Sequence, residues 1–262
     1  MSTNLVEVSL QAGVFRITLK RADKRNALSR DLLMQLGDAV AKAAAEKETR
    51  VVVLSAAGTV FCAGMDLAEM QETASQPDAK AIWQRDTEVY HDLLTSLFRL
   101  TVPTLAVVQG PVLAGGVGLV AACDLVLAAD TATVALPEPK RGITAAVVLP
   151  LLVHRVGASP ASWLLLSGEQ WTAEAARRAG FFHELTPAAS LESRVKALIA
   201  SILTGAPSAL AVTKRHLQAC TTSDLDRQLS EGMQHSAEAR ETGDAREGLA
   251  AFLEKRKPKW AP

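Results

Sequence analysis

Unbroken apolar runs, rather than alternating ones, most tightly limit how this chain folds. Val51-Val52-Val53-Leu54 has no polar face, and neither has Leu105-Ala106-Val107-Val108 within the segment Thr104–Val108. A strand of this kind needs cover on both sides, as in a parallel sheet flanked by helices. The stretches between the runs read as helices. One is capped by Ser29 and runs through Asp31 to about Lys47, one starts near Leu67, and a long one covers roughly Ala79 to Leu100, before Pro103. Gly115-Gly116 opens a further helix, and Leu125–Ala128 and Thr133–Leu136 read as short strands. At the start, Val6, Val8 and Leu10 share one strand face, and the chain returns after Ala12-Gly13 as Val14–Leu19. Strand and helix alternate, so the class is α/β with right-handed crossovers.

From about Ala158 the pattern turns helical. Ser159-Pro160 starts one helix and Thr172-Ala173-Glu174 caps another; Pro187 to Leu203, Ala206 to Cys220 and Asp244 to Lys255 read as three more. The expected division is an α/β core over residues 1–200 and a helical segment over 201–262. That tail is too short to hold a core alone, so it is expected to pack on the α/β part or on another subunit.

Composition removes several function classes. The chain has 262 residues, and its 28 basic side chains balance 28 acidic ones. It therefore lacks the electrostatic footprint of a nucleic-acid binder. Aromatics make up only 4%, too few for stacking platforms. Cys62, Cys123 and Cys220 are widely spaced and odd in number, without zinc-site spacing, so free thiols in a reducing cytoplasm are expected and no metal site is. The opening MSTNLVEVSL does not read as a signal peptide. The apolar stretch Leu105 to Ala129 is broken by Gln109, Pro111, glycines and Asp124, which argues for core rather than a membrane span.

Common catalytic motifs are missing. The chain has no G-x-x-x-x-G-K-[ST] and no G-x-S-x-G, and Gly115-Gly116-Val117-Gly118 lacks the third glycine of a dinucleotide fingerprint. Two turns between a buried strand and a helix stand out instead, Phe61–Leu67 and Gly110–Gly118. Glycines in such turns let a ligand approach backbone amides, and helix N-termini add partial positive charge. Two such turns can aim two N–H groups at one oxygen, an oxyanion hole for a developing enolate. Spacing alone leaves tight strand–helix packing open as the other reading.

Taken together, these residues resemble the enoyl-CoA hydratase/isomerase (crotonase) superfamily over nearly the whole chain. Lys24-Arg25-Asn26-Ala27-Leu28 is similar to its acyl-CoA-binding strip, and Phe61–Leu67 to its F-x-A-G-x-D-[LI] element. Gly110–Asp124 is similar to its glycine-rich helix start, Leu136-Pro137-Glu138 through Gly142 to P-E-x-x-x-G, and Glu247–Arg256 to its closing E-G-x-x-A-F-x-E-K-R. The resemblance implies a spiral of ββα units with a C-terminal helical oligomerisation segment, in trimers or dimers of trimers. It implies an acyl-CoA thioester as substrate, with no cofactor beyond the coenzyme A of that substrate. Carried over by position, the amides of Met65 and Gly115 would bind the thioester oxygen, and Glu138 would move protons. Lys24, Arg25, Ala27, Leu28, Ala63, Gly64, Asp66, Leu67, Gly116, Pro137 and Gly142 would line the path of the thioester. Phe252 and Lys255 would approach the adenine end, in family structures often from a neighbouring subunit.

One departure matters. Hydratases of this superfamily carry a second glutamate on the glycine-rich helix, where this chain has Gly118. A single carboxylate suffices to move a proton between carbons, as in Δ3,Δ2-enoyl-CoA isomerases. Yet Gly115–Leu119 and Glu138–Pro150 are similar to bacterial methylglutaconyl-CoA-hydratase-like members, which also have glycine at the position of Gly118. Lys140 and Arg141 are read as solvated loop cations, with a distal substrate carboxylate as the alternative. Asp66 is expected to cap the following helix and Asp124 to make structural hydrogen bonds. The sequence thus predicts an enoyl-CoA hydratase, with an isomerase or a non-catalytic acyl-CoA binder as alternatives.

Overall fold

The computed structural model of the chain describes residues 4–221 and 224–259, apart from the side chains of residues 220 and 221. Strands β1 (Val6–Gln11) and β2 (Val14–Leu19) pair antiparallel, with Gln11 opposite Val14. Ala12 and Gly13 both take positive φ, the turn geometry that matches the twist of a tight hairpin. A polar segment with one 3-10 turn, Ala22–Lys24, leads to helix α1 (Arg30–Ala45), where the Ser29 hydroxyl accepts the Leu32 amide. Then follow β3 (Val51–Ala56), α2 (Leu67–Ala74), α3 (Ala79–Phe98), β4 (Thr104–Val108), the two-residue β5 (Val112–Leu113), α4 (Gly115–Ala121), β6 (Leu125–Ala129) and β7 (Thr133–Ala135).

The apolar runs are covered on both faces. Val51, Val53, Leu105, Val107, Leu127 and Ala129 pack on Leu191, Val195 and Ile199 of helix α8 (Leu191–Leu203). Val52, Leu54, Ala106, Val108, Val126 and Ala128, one residue out of phase, enter the main core. The large sheet has the order β1-β2-β3-β4-β6-β9, where β9 is Glu184–Thr186, and every pairing after the first is parallel. A second sheet joins β5, β7 and β8 (Trp171–Thr172), and a bridge between Cys62 and Val112 extends it. Successive turns of chain therefore give one strand to each sheet, β4 then β5 and β6 then β7, which is a spiral of ββα units.

The second half carries α5 (Leu149–Val156), α6 (Ala158–Ser167), α7 (Ala173–Arg178), α8, α9 (Pro207–Thr221), α10 (Leu225–Arg240) and α11 (Gly243–Leu253). Several expectations need correction. The helix expected from Pro187 begins only at Leu191, because strand β9 and a 3-10 turn occupy the chain before it. The last helix ends at Leu253 rather than Lys255, which takes φ +55° and turns the chain away. Helix α10 was not expected from its polar sequence. Its buried residues Leu225, Leu229, Gly232 and Ser236 nonetheless fall at helical spacing.

The C-terminal helices sit on their own chain. Helix α10 packs on α3 and α5, and α11 on α2 and on the 3-10 turn Glu138–Arg141. The approach is backbone to backbone: a Cβ at Gly232 would collide with the Ala146 carbonyl, and one at Gly248 with the Arg141 carbonyl. Cys62 and Cys123 are buried free thiols; the Cys220 side chain lies outside the described residues.

Candidate active site

The site begins with Asn26, a fully buried polar residue held at φ +52°. Its amide nitrogen donates to the carbonyls of Ala57 (2.9 Å) and Val60 (2.8 Å), and its Oδ1 accepts the Arg21 amide (2.9 Å). The strip Lys24–Leu28 is thereby fastened to the segment leading into the first turn. Leu28 then pairs with that turn: its amide donates to the Gly64 carbonyl (2.8 Å) and its carbonyl accepts the Asp66 amide (3.1 Å). The Met65 amide is left with no acceptor among the described residues.

The second turn supplies a matching donor. Gly115 opens α4, so its amide has no partner inside the helix, and none is found elsewhere among the described residues. Ala114, just before it, has φ +50° and ψ −127°, a strained conformation for a residue with a side chain. The turns meet at Gly64 (φ +87°), where a Cβ would collide with Ala114 and lie 3.1 Å from the Gly115 nitrogen. Gly116 performs the same service against Cys62, whose Cβ would be 2.7 Å from an added one.

Glu138 faces the same cavity as Met65 and Gly115. It is buried, with 6% exposure, and its Oε2 has no hydrogen-bond partner. Burial pushes its carboxyl up to about 7, against the opposing pull of its own backbone amide and the Arg141 charge. The cavity measures about 50 Å³, space enough for water beside the carboxylate. Ala63, Leu67, Met70, Ile143, Ala145, Val147 and Val148 supply its apolar lining.

The place of a second carboxylate is taken. A Cβ at Gly118 would collide with the Tyr90 hydroxyl and lie 3.0 Å from Leu94 and 3.2 Å from Val148. Tyr90, the only tyrosine in the chain, is buried on α3, and its hydroxyl donates to the Gly115 carbonyl. Burial raises its pKa well above the ordinary value, so it stays a neutral donor that anchors the second turn.

A groove of about 340 Å³ opens beside the cavity. It brings together Lys24, Arg25, Ala27, Ala63, Asp66 and Leu67, expected to line the thioester path, with Met65, expected as an oxyanion amide, and Phe252, expected at the adenine end. Leu28, Gly64 and Gly116 lie behind this surface and shape it through the backbone. Pro137 leads into the 3-10 turn that carries Glu138. Gly142 (φ +69°) ends that turn, where a Cβ would collide with the Asp244 carbonyl. Lys255 is exposed and does not line the groove, since the chain turns away after α11. Phe252 comes from the same chain, with the Arg141 guanidinium 4.4 Å from its ring centroid.

Charged residues near the site are mostly tied down. Asp66 caps α2 through the Ala68 amide (3.0 Å) and pairs with Arg21 at 2.6 Å. Burial alone would raise its carboxyl, but Arg21 and two amides of α2 outweigh burial and hold it below the usual range. Asp124 accepts the Thr104 amide and pairs with Lys214 at 2.7 Å, a structural role as expected. Lys140 is not a free loop cation: its Nζ donates to the Gly168 carbonyl at the end of α6 (2.7 Å). Arg141 borders both the cavity and the groove. No cluster of metal-ligating side chains occurs among the described residues, and no single helix there is long and apolar enough to cross a membrane.

Two free amides facing a buried carboxylate, on a spiral of ββα units, define the crotonase superfamily. Residues 9–262 match the enoyl-CoA hydratase/isomerase family, and the chain belongs to it. It is 34% identical to a 2,3-dehydroadipyl-CoA hydratase of Escherichia coli K12, over 96% of each protein. An enoyl-CoA isomerase/hydratase of Mycosarcoma maydis is 33% identical over 94% of this chain and 92% of its own length. The crystal structure of an enoyl-CoA hydratase from Mycobacterium avium subsp. paratuberculosis superposes with a TM-score of 0.87, at 29% identity and full coverage of both chains. Members of the family act on acyl-CoA thioesters.

Four residues of the cavity escaped sequence reading: Met70, Tyr90, Ser236 and Arg240. Tyr90 lies on a long helix between the motifs, and its singularity was the one available signal. Ser236 and Arg240 lie on α10, whose polar composition hid the narrow buried stripe.

Proposed function

We propose that this chain catalyses the reversible hydration of a 2-enoyl-CoA thioester. The observation that carries the reading is Glu138, a buried carboxylate titrating near neutrality with one free oxygen on the cavity that the Met65 and Gly115 amides also border. In the addition direction, ionised Glu138 takes a proton from water as the water oxygen bonds to C3. The C2–C3 double bond opens, and its electrons move through C2 to the thioester oxygen, where the two amides stabilise the enolate. Glu138, now protonated, returns the proton to C2 and completes a 3-hydroxyacyl thioester. Removing one donor of such a pair typically costs about 2.7–4 kcal/mol of transition-state stabilisation.

The Gly118–Tyr90 arrangement favours a second reading, because one carboxylate alone serves each end of the transfer. In a Δ3,Δ2-isomerase, Glu138 would take a proton from C2 of a 3-enoyl thioester and return it to C4 as the double bond shifts. Crotonyl-CoA separates the two: hydration removes the conjugated absorbance and adds the mass of water. A 3-enoyl thioester that gains conjugation without gaining mass would identify the isomerase. Glu138→Gln should abolish either reaction while leaving thioester affinity largely intact, and full turnover by that variant would refute the mechanism. Binding without turnover of any thioester would support a non-catalytic member. The exposed Trp163 and Leu166 of α6 support association with further copies of the chain, and light scattering would test the homotrimer or dimer of trimers that the family resemblance implies.

A further inference from the structure

Arg141 and Arg240 both border the cavity, and neither has a carboxylate within 4 Å among the described residues; Arg141 stacks on Phe252 and also borders the groove, whereas Arg240 does neither. Arg240, the last residue of α10, borders the space that Glu138, Met65 and Gly115 also border. Its Nη1 donates to the Thr87 hydroxyl (3.1 Å) and toward the Trp83 carbonyl (3.5 Å). Its Nε and Nη2 donate to nothing among the described residues, and no carboxylate there lies within 4 Å of it. Asp86 is the acid whose field reaches it, but Asp86 is already gripped by Arg30 through two hydrogen bonds of 2.7 Å. Arg30 also adds a like charge. Crowding and that like charge pull the Arg240 guanidinium down to about 10, still protonated at neutral pH.

A second donor accompanies it. Ser236 is four residues earlier on the same face of α10, buried and on the same cavity, and its hydroxyl has no hydrogen-bond partner among the described residues. The C-terminus of α10 suits a cation, but it does not account for donors left open on a pocket that Met65, Leu67, Met70, Ile143, Val147 and Val148 also line. The cation whose charge acts on Glu138 is Arg141 rather than Arg240. The coenzyme A groove has its own cations, Lys24, Arg25 and Arg141. A plain hydrocarbon chain filling the cavity would strip water from an unpaired guanidinium, which is costly. A chain ending in a carboxylate would neutralise it with charge-assisted hydrogen bonds.

We propose that Arg240, with Ser236, receives a carboxylate at the far end of the acyl chain, so that the preferred substrates are thioesters of dicarboxylic acids. This rests on the reading of the cavity as the acyl site of a thioester enzyme.

The test pairs 2-enoyl-CoA thioesters of about four to six carbons with counterparts carrying a carboxylate in place of the terminal methyl. The wild-type protein should favour the carboxylate-ended member of at least one pair by tenfold or more in kcat/KM. Arg240→Gln should lower that ratio by about 10- to 100-fold, the range of a hydrogen bond to a charged group. Arg240→Lys should restore part of it, and Ser236→Ala should lower it less. A ratio reports specificity even where a variant is less stable. Calorimetric binding of the saturated thioesters, hexanoyl-CoA against its carboxylate-ended counterpart, makes the same comparison without turnover. Binding preference with no turnover would sink the enzymatic reading alone. A wild-type preference for methyl-ended chains throughout, or an unchanged ratio in Arg240→Gln, would overturn the assignment.

Discussion

The Glu138 carboxyl sets two properties of this protein against each other, and Glu138→Gln separates them. Burial raises its pKa from 4.5 to about 7. Below pH 4.5 the group is neutral in both the folded and unfolded states and contributes nothing pH-dependent. As the pH rises, the unfolded chain releases its proton first, and the folded protein is penalised until it ionises near pH 7. Above that the penalty is constant. Each pH unit between the two values is worth about 1.4 kcal/mol, so ionisation costs the fold about 3 kcal/mol. Glutamine fits the same volume and carries no charge. The variant should therefore gain stability relative to wild type as pH rises, by about 2–3 kcal/mol between about pH 5 and about pH 8.5. Paired urea denaturation curves across that range measure this directly, with unchanged m-values as the control. Turnover should run the other way: either proposed reaction needs the ionised base, so wild-type kcat/KM should climb with pH through about 7. A stability difference that stays flat from pH 5 to 8.5 would refute the claim that burial holds this carboxyl near neutrality.

Three further substitutions test the scaffold around the carboxylate. Asn26→Ala orphans two carbonyls and one amide at a fully buried position, and should cost about 3 kcal/mol or more in chemical denaturation. Gly248→Ala puts a methyl group against the Arg141 carbonyl, where neither backbone can yield easily. It should cost about 1–3 kcal/mol, seen as a Tm several degrees lower, and should reduce kcat by loosening the turn that carries Glu138. Ala114→Gly relieves the strain at φ +50° and should stabilise the protein by up to about 1 kcal/mol. A lower kcat would show that the strain helps aim the Gly115 amide, and an unchanged kcat would show that it does not.

Much of this was legible in the sequence, for identifiable reasons. The runs at Val51 and Leu105 could only be strands covered on both sides, and they are. The turns at Phe61–Leu67 and Gly110–Gly118 announced close backbone approach, and Gly64 and Gly116 provide it. Strand β9 went unread because three residues, Glu-Leu-Thr, carry no period. The helix over 225–240 went unread because a stripe one residue wide every turn is lost among charges. The two cavity donors on that helix were hidden with it, and Lys140, singled out in the sequence, is tied to the Gly168 carbonyl instead. Tyr90 could not be placed either, since its neighbours in space, Gly115 and Gly118, are more than twenty residues away along the chain.

The glycine contacts of α10 and α11 also order events in time. Glu138 leaves the ribosome roughly a hundred residues before Gly232 and Gly248, the residues against which its loop closes. At ordinary synthesis rates that is a wait of about 5–20 s. During the wait the nascent chain already carries both amide-bearing turns and most of the groove, but the wall that α10 gives the Glu138 cavity has not yet been made. Thioester binding to a growing or truncated chain would find a cradle open on one side. The active site is thus among the last parts of this protein to be finished, although both of its amide-bearing turns are translated in the first half of the chain.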